Sequence, residues 1–191
     1  KVFTGEKLAT IYFWRAVGRN KKGDYSQVIA DASESIRLHA GAGTYNLRGS
    51  AYYDKGEYDI AIADFNDALR MGPPSGIIFH NRGNAWRDSE QLDRAAADYA
   101  EVIKLAPTDA RGWRNRGMIR LYQGDNKGGL ADYDKAVQYD PADVFSWNNR
   151  GQAKMRLGDK PGAGSTVNSP ASPAIRRPPR RPSRGRRPTR T

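Results

Sequence analysis

Three stretches of the sequence share one pattern and decide the fold: FHNRGNAW at residues 79–86, WRNRGMIR at 113–120 and WNNRGQAK at 147–154. Each begins with an aromatic residue and contains the tripeptide Asn-Arg-Gly, and neighbouring copies lie 34 residues apart. Leu47-Arg48-Gly49 lies 34 residues before the first of them, and Trp14-Arg15-Ala16 matches again if one residue is deleted in between. A fixed period of this length indicates similar units that stack on one another.

Further positions repeat with the same period. A small residue stands twelve positions after the glycine, a ring four positions later, a small or branched residue three positions after that, and a proline near the end. This pattern resembles that of the tetratricopeptide repeat (TPR) family, in a style seen in many bacterial members, and it covers about residues 9–158. The matching positions are Ala61, Ala95 and Gly129; Phe65, Tyr99 and Tyr133; Ala68, Val102 and Ala136; and Pro73, Pro107 and Pro141.

The resemblance implies an all-α fold, a right-handed superhelix of antiparallel helix pairs with about four repeats and a final single helix. A glycine inside a helix costs about 0.5–1 kcal/mol relative to alanine, so the repeated glycines predict a close approach of two helices. We expect the repeat domain to span 1–160, with units at about 9–41, 42–75, 76–109 and 110–143 and a partial unit at 144–160. First helices are predicted at about 7–21, 43–55, 77–89, 110–123 and 144–157, and second helices at about 24–39, 57–71, 91–105 and 127–139.

The repeat stops after Lys160. A run rich in proline, serine and arginine follows to Thr191, and this composition predicts a disordered basic tail at 161–191. Two origins stay open: a native tail, or a change of reading frame in a GC-rich gene. The last helix, 144–157, is then unpaired, and we expect Trp147 and Met155 to face the fourth unit.

The net charge of +11 is concentrated in this tail. Without its eight arginines the chain carries about +3, so the body of the protein is nearly balanced. A run of arginines attracts nucleic acid and other polyanions without sequence preference, which is the alternative function that the sequence offers. The arginines are Arg176, Arg177, Arg180, Arg181, Arg184, Arg186, Arg187 and Arg190.

Two charged residues also follow the repeat. An arginine recurs in each first helix and an aspartate in each second helix, in constant phase. A charged track for ligands is one interpretation, and an Arg–Asp ion pair along the stack is the other. We favour the ion pair, because both sets follow the repeat and a guanidinium binds a carboxylate through two hydrogen bonds. The sets are Arg15, Arg48, Arg82, Arg116 and Arg150, and Asp31, Asp64, Asp98 and Asp132.

The resemblance implies a non-catalytic scaffold that binds a peptide or protein in a concave groove lined by the first helices. An asparagine ladder, Asn81, Asn115 and Asn149, offers donors and acceptors to a peptide backbone, or else bonds neighbouring helices within the stack. The asparagines of the family's carboxylate clamp match Asn84 and Asn115, but its basic positions do not match, so that ligand is not predicted. The groove residues carried over are Asn46, His80, Asn81, Asn84, Arg111, Arg114, Asn115, Asn148 and Asn149.

Other function classes find little support in the sequence. No catalytic triad, phosphate-binding loop or metal motif is present, and with no cysteine there is no thiolate ligand, so we predict no enzyme, cofactor or metal. No apolar run is long enough to span a membrane. Since the chain begins at Lys1, we expect a processed or truncated product, which leaves the cytoplasm and, after removal of a signal peptide, the periplasm or exterior open.

Overall fold

The computed structural model describes residues 4–159 and contains nine α-helices and no strand within that range. Short links join the helices, and each helix begins and ends within a few residues of its predicted bounds. The all-α prediction is therefore confirmed. The helices are α1 (Gly5–Asn20), α2 (Tyr25–Leu38), α3 (Ala42–Asp54), α4 (Tyr58–Met71), α5 (Gly76–Asp88), α6 (Leu92–Leu105), α7 (Ala110–Gln123), α8 (Asn126–Tyr139) and α9 (Val144–Arg156).

The helices stack in chain order, each packing against the one before and the one after it. The odd-numbered helices also contact one another, α1 with α3, α3 with α5 and α7 with α9, whereas the even-numbered helices of residues 4–159 show no comparable contact. The layer of odd-numbered helices is thus the more closely spaced one, and it forms the inner, concave side of a solenoid. None of the helices in this range combines the length and hydrophobicity that crossing a membrane requires.

Close contact between a glycine and a ring holds each central helix pair together. A Cβ atom on Gly83 would lie 2.9 Å from the ring of Tyr99, and one on Gly49 would lie equally close to Phe65. Both rings are fully buried. The predicted close approach of the two helices in a unit is confirmed, and only a residue without a side chain permits it.

The turn inside each unit needs left-handed backbone. Gly23, Gly56 and Gly124 have φ values of 77°, 76° and 84° at the turn between the two helices. The third unit has Glu90 in place of the glycine, with a φ of 64°. Because a Cβ atom disfavours this conformation, the third unit forms its turn at a cost of about 1–2 kcal/mol.

The aromatic residues that begin the repeated stretches of the first helices do not fill the space between units. Trp113 is only half-buried, and its indole donates a hydrogen bond of 2.8 Å to the Pro107 carbonyl. The Arg116 guanidinium lies over the same ring at 5.1 Å from its centre. Truncating Trp113 should therefore cost less than the roughly 3–5 kcal/mol typical of a fully buried aromatic residue. The buried rings are those of the second helices.

The Arg–Asp ion pair recurs as predicted. Arg82 donates two hydrogen bonds to Asp98, at 2.8 and 2.6 Å, and the aspartate is 4% exposed. The same two-pronged bond joins Arg15 to Asp31, Arg48 to Asp64 and Arg116 to Asp132, always 16 residues apart. The partner of Asp98 is thus Arg82 of the same unit, so the pairs tie the two helices of a unit together.

The last helix does not pack as predicted. Trp147 and Met155 do not face the fourth unit: they are 45% and 57% exposed. Ser146, Asn149 and Ala153 are the buried residues of α9 instead. The repeat explains this difference. The exposed residues occupy positions that a first helix turns toward the second helix of its own unit, and the described residues include no second helix after α9.

A matched pair of glycine substitutions tests the packing. We expect Gly83→Ala to lower the free energy of unfolding by about 1–3 kcal/mol, because the new methyl group collides with Tyr99. Gly151→Ala should raise it by about 0.5–1 kcal/mol, because no described atom lies within 4 Å of the new methyl group. Urea unfolding followed by circular dichroism measures both. Equal effects of the two changes would contradict the assignment.

A second pair tests the buried ion pair. Asp98→Asn should cost about 2–4 kcal/mol, since it leaves the largely buried Arg82 guanidinium without a carboxylate. Asp134→Asn is the control, because Asp134 pairs with Arg150 while 49% exposed and should cost no more than about 1 kcal/mol. Urea unfolding of both variants gives the comparison. A control as destabilised as Asp98→Asn would show that burial does not determine the effect.

Candidate functional site

The inner layer contains a cavity of about 650 Å³ where the third and fourth units meet. Helix α5 contributes Ile77, His80 and Asn81 to its lining, and Arg111 lies at the start of α7. The end of α6 closes the cavity with Val102, Leu105 and Ala106. Three of the predicted groove residues, His80, Asn81 and Arg111, therefore share one cavity that two units build together.

A smaller cavity of about 180 Å³ adjoins it on the second unit. Asn81 lines both cavities, and Asn84 lines the smaller one together with Ser50 and Tyr53. Asn81 thus stands between two concave spaces on the inner face. It is the predicted groove residue that the structure places most centrally.

His80 is held from both sides by amide groups. Its Nε2 lies 2.9 Å from Nδ2 of Asn115 in the next unit, and its Nδ1 lies 3.5 Å from Nδ2 of Asn84. Burial lowers the pKa of His80, the hydrogen bond with Asn81 opposes this shift, and the positive charges of Arg111 and other arginines add to it. The ring is therefore neutral at neutral pH and presents one acceptor and one donor.

The asparagine ladder bonds within the stack. Asn81 donates a hydrogen bond of 3.1 Å to Asn46 of the previous first helix, and Asn149 donates one of 2.8 Å to the Phe145 carbonyl of its own helix. Asn115 and Asn149 are buried. The bonds from Asn81 to Asn46 and between Asn115 and His80 join neighbouring first helices, whereas Asn149 bonds only its own helix. Half-buried Asn81 keeps its second amide hydrogen for a ligand.

A polar network that the sequence did not reveal supports this face. The Tyr53 hydroxyl donates to Asp88 at 2.6 Å across two units, and Arg87 bonds the same carboxylate at 2.7 and 3.0 Å. Tyr99 donates to the Asn84 side chain at 2.8 Å. The other units carry Asn20, Arg87, Leu121 and Met155 where the second unit has Tyr53, so the repeat gave no sign of this bond.

The remaining predicted residues lie outside the two cavities. Arg114 bonds Asp143 at 3.4 Å, and its guanidinium lies 5.9 Å from the ring centre of Phe145. Asn46, Asn148 and Asn149 do not line either space. Arg111 bonds Asp109 at 2.7 Å, so the charges at the mouth of the larger cavity are balanced.

Some of the predicted site residues lie outside residues 4–159. The arginines of 176–190 lie outside the described residues, as does the predicted tail. Among residues 4–159, no three histidine or acidic side chains gather in a way that would hold a metal ion.

Comparison with known proteins identifies the repeat. The sequence profile described as "Tetratricopeptide repeat" matches residues 46–110 and 114–174, more than half of the chain. The chain belongs to the tetratricopeptide repeat family. No curated protein sequence matches it.

Solved TPR structures share the fold at low sequence identity. MamA 41-end from Desulfovibrio magneticus RS-1 is 21% identical, with a TM-score of 0.74 over 79% of this chain and 86% of the other. YrrB, described as "a TPR protein with an unusual peptide-binding site", is 21% identical, with a TM-score of 0.69 over 78% and 77%. The first TPR of Spaghetti (RPAP3), bound to the HSP90 peptide SRMEEVD, is 20% identical, with a TM-score of 0.59 over 61% and 93%.

The environment of His80 predicts a pH-dependent stability. An unfolded histidine has a pKa of about 6.5 and folded His80 has a lower one, so below pH 6.5 the unfolded state binds more protons. The free energy of unfolding should therefore fall as the pH is lowered through this window. Urea unfolding at several pH values should show that His80→Gln removes this component and that His39→Gln keeps it. An unchanged pH dependence in His80→Gln would contradict the assignment.

Proposed function

We propose that this TPR protein is a non-catalytic scaffold that binds a peptide or protein segment on its inner face, centred on the 650 Å³ cavity. The single observation that carries the proposal is the composition of that cavity. Exposed apolar side chains and the partly satisfied amide of Asn81 line one concave space. This combination is typical of sites that bury an apolar side chain and bond the backbone beside it.

The apolar part supplies affinity. Ile77 is 67% exposed, and Leu105, which also lines the cavity, is exposed as well. Covering apolar surface gains about 25 cal/mol for each Å² removed from water, so a ligand side chain seated between these two residues gains from both. A medium-sized aliphatic or aromatic side chain has the matching chemistry.

The polar residues of the cavity orient the ligand. Half-buried Asn81 on α5 borders the apolar wall, and Asn115 and Asn84 hold the His80 ring beside it. The second amide hydrogen of Asn81 can donate to a carbonyl of an extended peptide backbone. The Arg111–Asp109 pair at the mouth carries no net charge, and a strongly acidic ligand therefore gains little there.

Peptide binding by two structural neighbours supports this proposal. Both YrrB and the first TPR of RPAP3 are described with peptides or a peptide-binding site. The residues that clamp a carboxylate in chaperone-binding TPR proteins are incomplete here. We therefore propose an internal, apolar-anchored segment as the ligand, in place of a chain terminus recognised by its carboxylate.

A substitution in the apolar wall tests the proposal. Peptides selected from a random display library on the full chain provide the probe. Ile77→Glu should weaken their binding at least about tenfold, because an apolar anchor is lost and a charge must be desolvated. Isothermal titration calorimetry measures the affinity, and circular dichroism checks that the variant is folded.

The matched control is Ile60→Glu, because Ile60 is exposed on α4 in the outer layer. This variant should bind the selected peptides as the wild type does. If Ile77→Glu binds normally, or if both variants lose binding equally, the ligand is not held in the proposed cavity.

A further inference from the structure

The smaller cavity of the inner face contains a carboxylate that has no basic partner among residues 4–159. Asp54, the last residue of α3, lines this cavity, and its side chain forms no ion pair or hydrogen bond within that range. The adjacent Lys55 pairs with Glu57 instead, at 2.8 Å. The other lining residues are Ser50, Tyr53, Phe65, Asn81 and Asn84.

The next unit shows what an aspartate at this position of the repeat requires. Asp88 lies 34 residues after Asp54, and its carboxylate accepts a hydrogen bond of 2.6 Å from the Tyr53 hydroxyl of the unit before. Arg87 bonds the same carboxylate at 2.7 and 3.0 Å and neutralises it. The residues in the equivalent places around Asp54 are Asn20 and Tyr53, and neither carries a positive charge. The group that Asp54 lacks, compared with Asp88, is a cation.

The surroundings of Asp54 also disfavour an isolated negative charge. The unpaired carbonyl groups at the end of a helix form the negative pole of its dipole, and Asp54 lies at that end of α3. Partial burial raises the pKa of the Asp54 carboxyl, because the charged form loses water. A cation in the cavity would be attracted by the carboxylate and by the helix end together.

The other groups of the cavity suit a long basic side chain. The Ser50 hydroxyl donates its hydrogen to the Asn46 carbonyl at 2.9 Å, so its oxygen remains an acceptor for an ammonium or guanidinium group. The fully buried Phe65 closes the cavity from α4 and offers an apolar surface to the methylene stem of such a side chain. The volume of about 180 Å³ is suited to one side chain.

The two cavities are close enough for one short segment to enter both. Asn81 lines the smaller cavity and the larger one, so a single side chain separates them. An extended peptide advances about 3.3 Å with each residue, and its alternate side chains point to the same side. A ligand with its apolar anchor in the larger cavity therefore brings residues within about three positions of that anchor to Asp54.

We propose that the segment bound on the inner face carries a lysine or arginine close to its apolar anchor, and that this cation pairs with Asp54 in the smaller cavity. The inference rests on the proposed function, because it names the chemistry of the ligand held there. The Arg111–Asp109 pair leaves the mouth of the larger cavity without net charge. Selection for a charged residue therefore takes place at Asp54.

The composition of selected peptides is the first test. In peptides selected from a random library on the full chain, lysine or arginine should be enriched within about three positions of the apolar anchor, and acidic residues should be depleted there. Use of the full chain includes any competition by its own arginines. Peptides that bind through Ile77 but show no such enrichment would overturn the inference and leave the proposed function intact.

A double-mutant cycle is the second test. Asp54→Asn should weaken binding of a selected peptide about fivefold at low salt, because the ion pair is lost while the shape of the side chain is kept. High salt should reduce this difference. The same peptide with norleucine in place of its basic residue should bind the wild type and Asp54→Asn equally. Isothermal titration calorimetry measures the affinities, and circular dichroism checks the fold.

The matched control is Asp24→Asn, which removes an exposed carboxylate that lines neither cavity. This variant should bind the peptide as the wild type does. A charge reversal adds a gain of binding: Asp54→Lys should bind a peptide with glutamate in place of the basic residue more tightly than the wild type does.

The two proposals give different results in this set of variants. If Ile77→Glu weakens binding and Asp54→Asn does not, the cation site is wrong and the larger cavity remains the peptide site. If Asp54→Asn alone weakens binding, the cation site stands and the proposed role of the larger cavity is wrong. An equal effect of Asp54→Asn on the basic and the norleucine peptide would also overturn the inference, because the carboxylate would then not act on the charge of the ligand.

Discussion

The packing of a second-helix ring on a first-helix glycine is the contact on which the rest of the solenoid depends. Where Tyr99 meets Gly83, the two helices of a unit come closer than any side chain on the glycine would allow. This distance brings the neighbouring residues, Asp98 and Arg82, within reach of a two-pronged hydrogen bond. The charged pair is buried only because the ring and the glycine beside it have excluded water, and its geometry is good enough to offset the desolvation of both charges.

The same constraint sorts the aromatic residues of the protein into two classes. Rings of the second helices, such as Tyr133, point into the contact and are fully buried. Rings of the first helices, such as Trp113, lie at the outer edge of the ion pair, where the arginine guanidinium stacks on them. An arginine in each unit thus has a carboxylate in its plane and a ring on its face, two contacts that its flat, delocalised cation makes at once.

Much of this could be predicted from the sequence, because the repeat supplies several copies of each position. Helix bounds, the glycine contact and the recurrence of an Arg–Asp pair follow from the spacing of the repeat, whereas the structure shows that Asp98 pairs with Arg82 of its own unit. The spacing of the repeat does not show whether a position has a neighbouring helix to pack against. For this reason the sequence predicted that Met155 faces the fourth unit, whereas its side chain is exposed. The spacing is also silent about residues that break the repeat. The Tyr53–Asp88 bond and the contact between His80 and Asn115 each depend on a residue, Tyr53 or His80, that recurs in no other unit, and only the structure shows them.

The larger cavity spans the joint between two repeats. Its lining comes from α5 and α6 of the third unit and from the start of α7 in the fourth, and His80 and Asn115 bridge the two units beside it. Each unit of a solenoid contacts only its neighbours, so bending and twisting of the whole array are spread over such joints. The width of the cavity is consequently coupled to the curvature of the superhelix. A ligand bound in the cavity would fix the local bend of the array. Conversely, a force that straightens the array would weaken binding of the ligand.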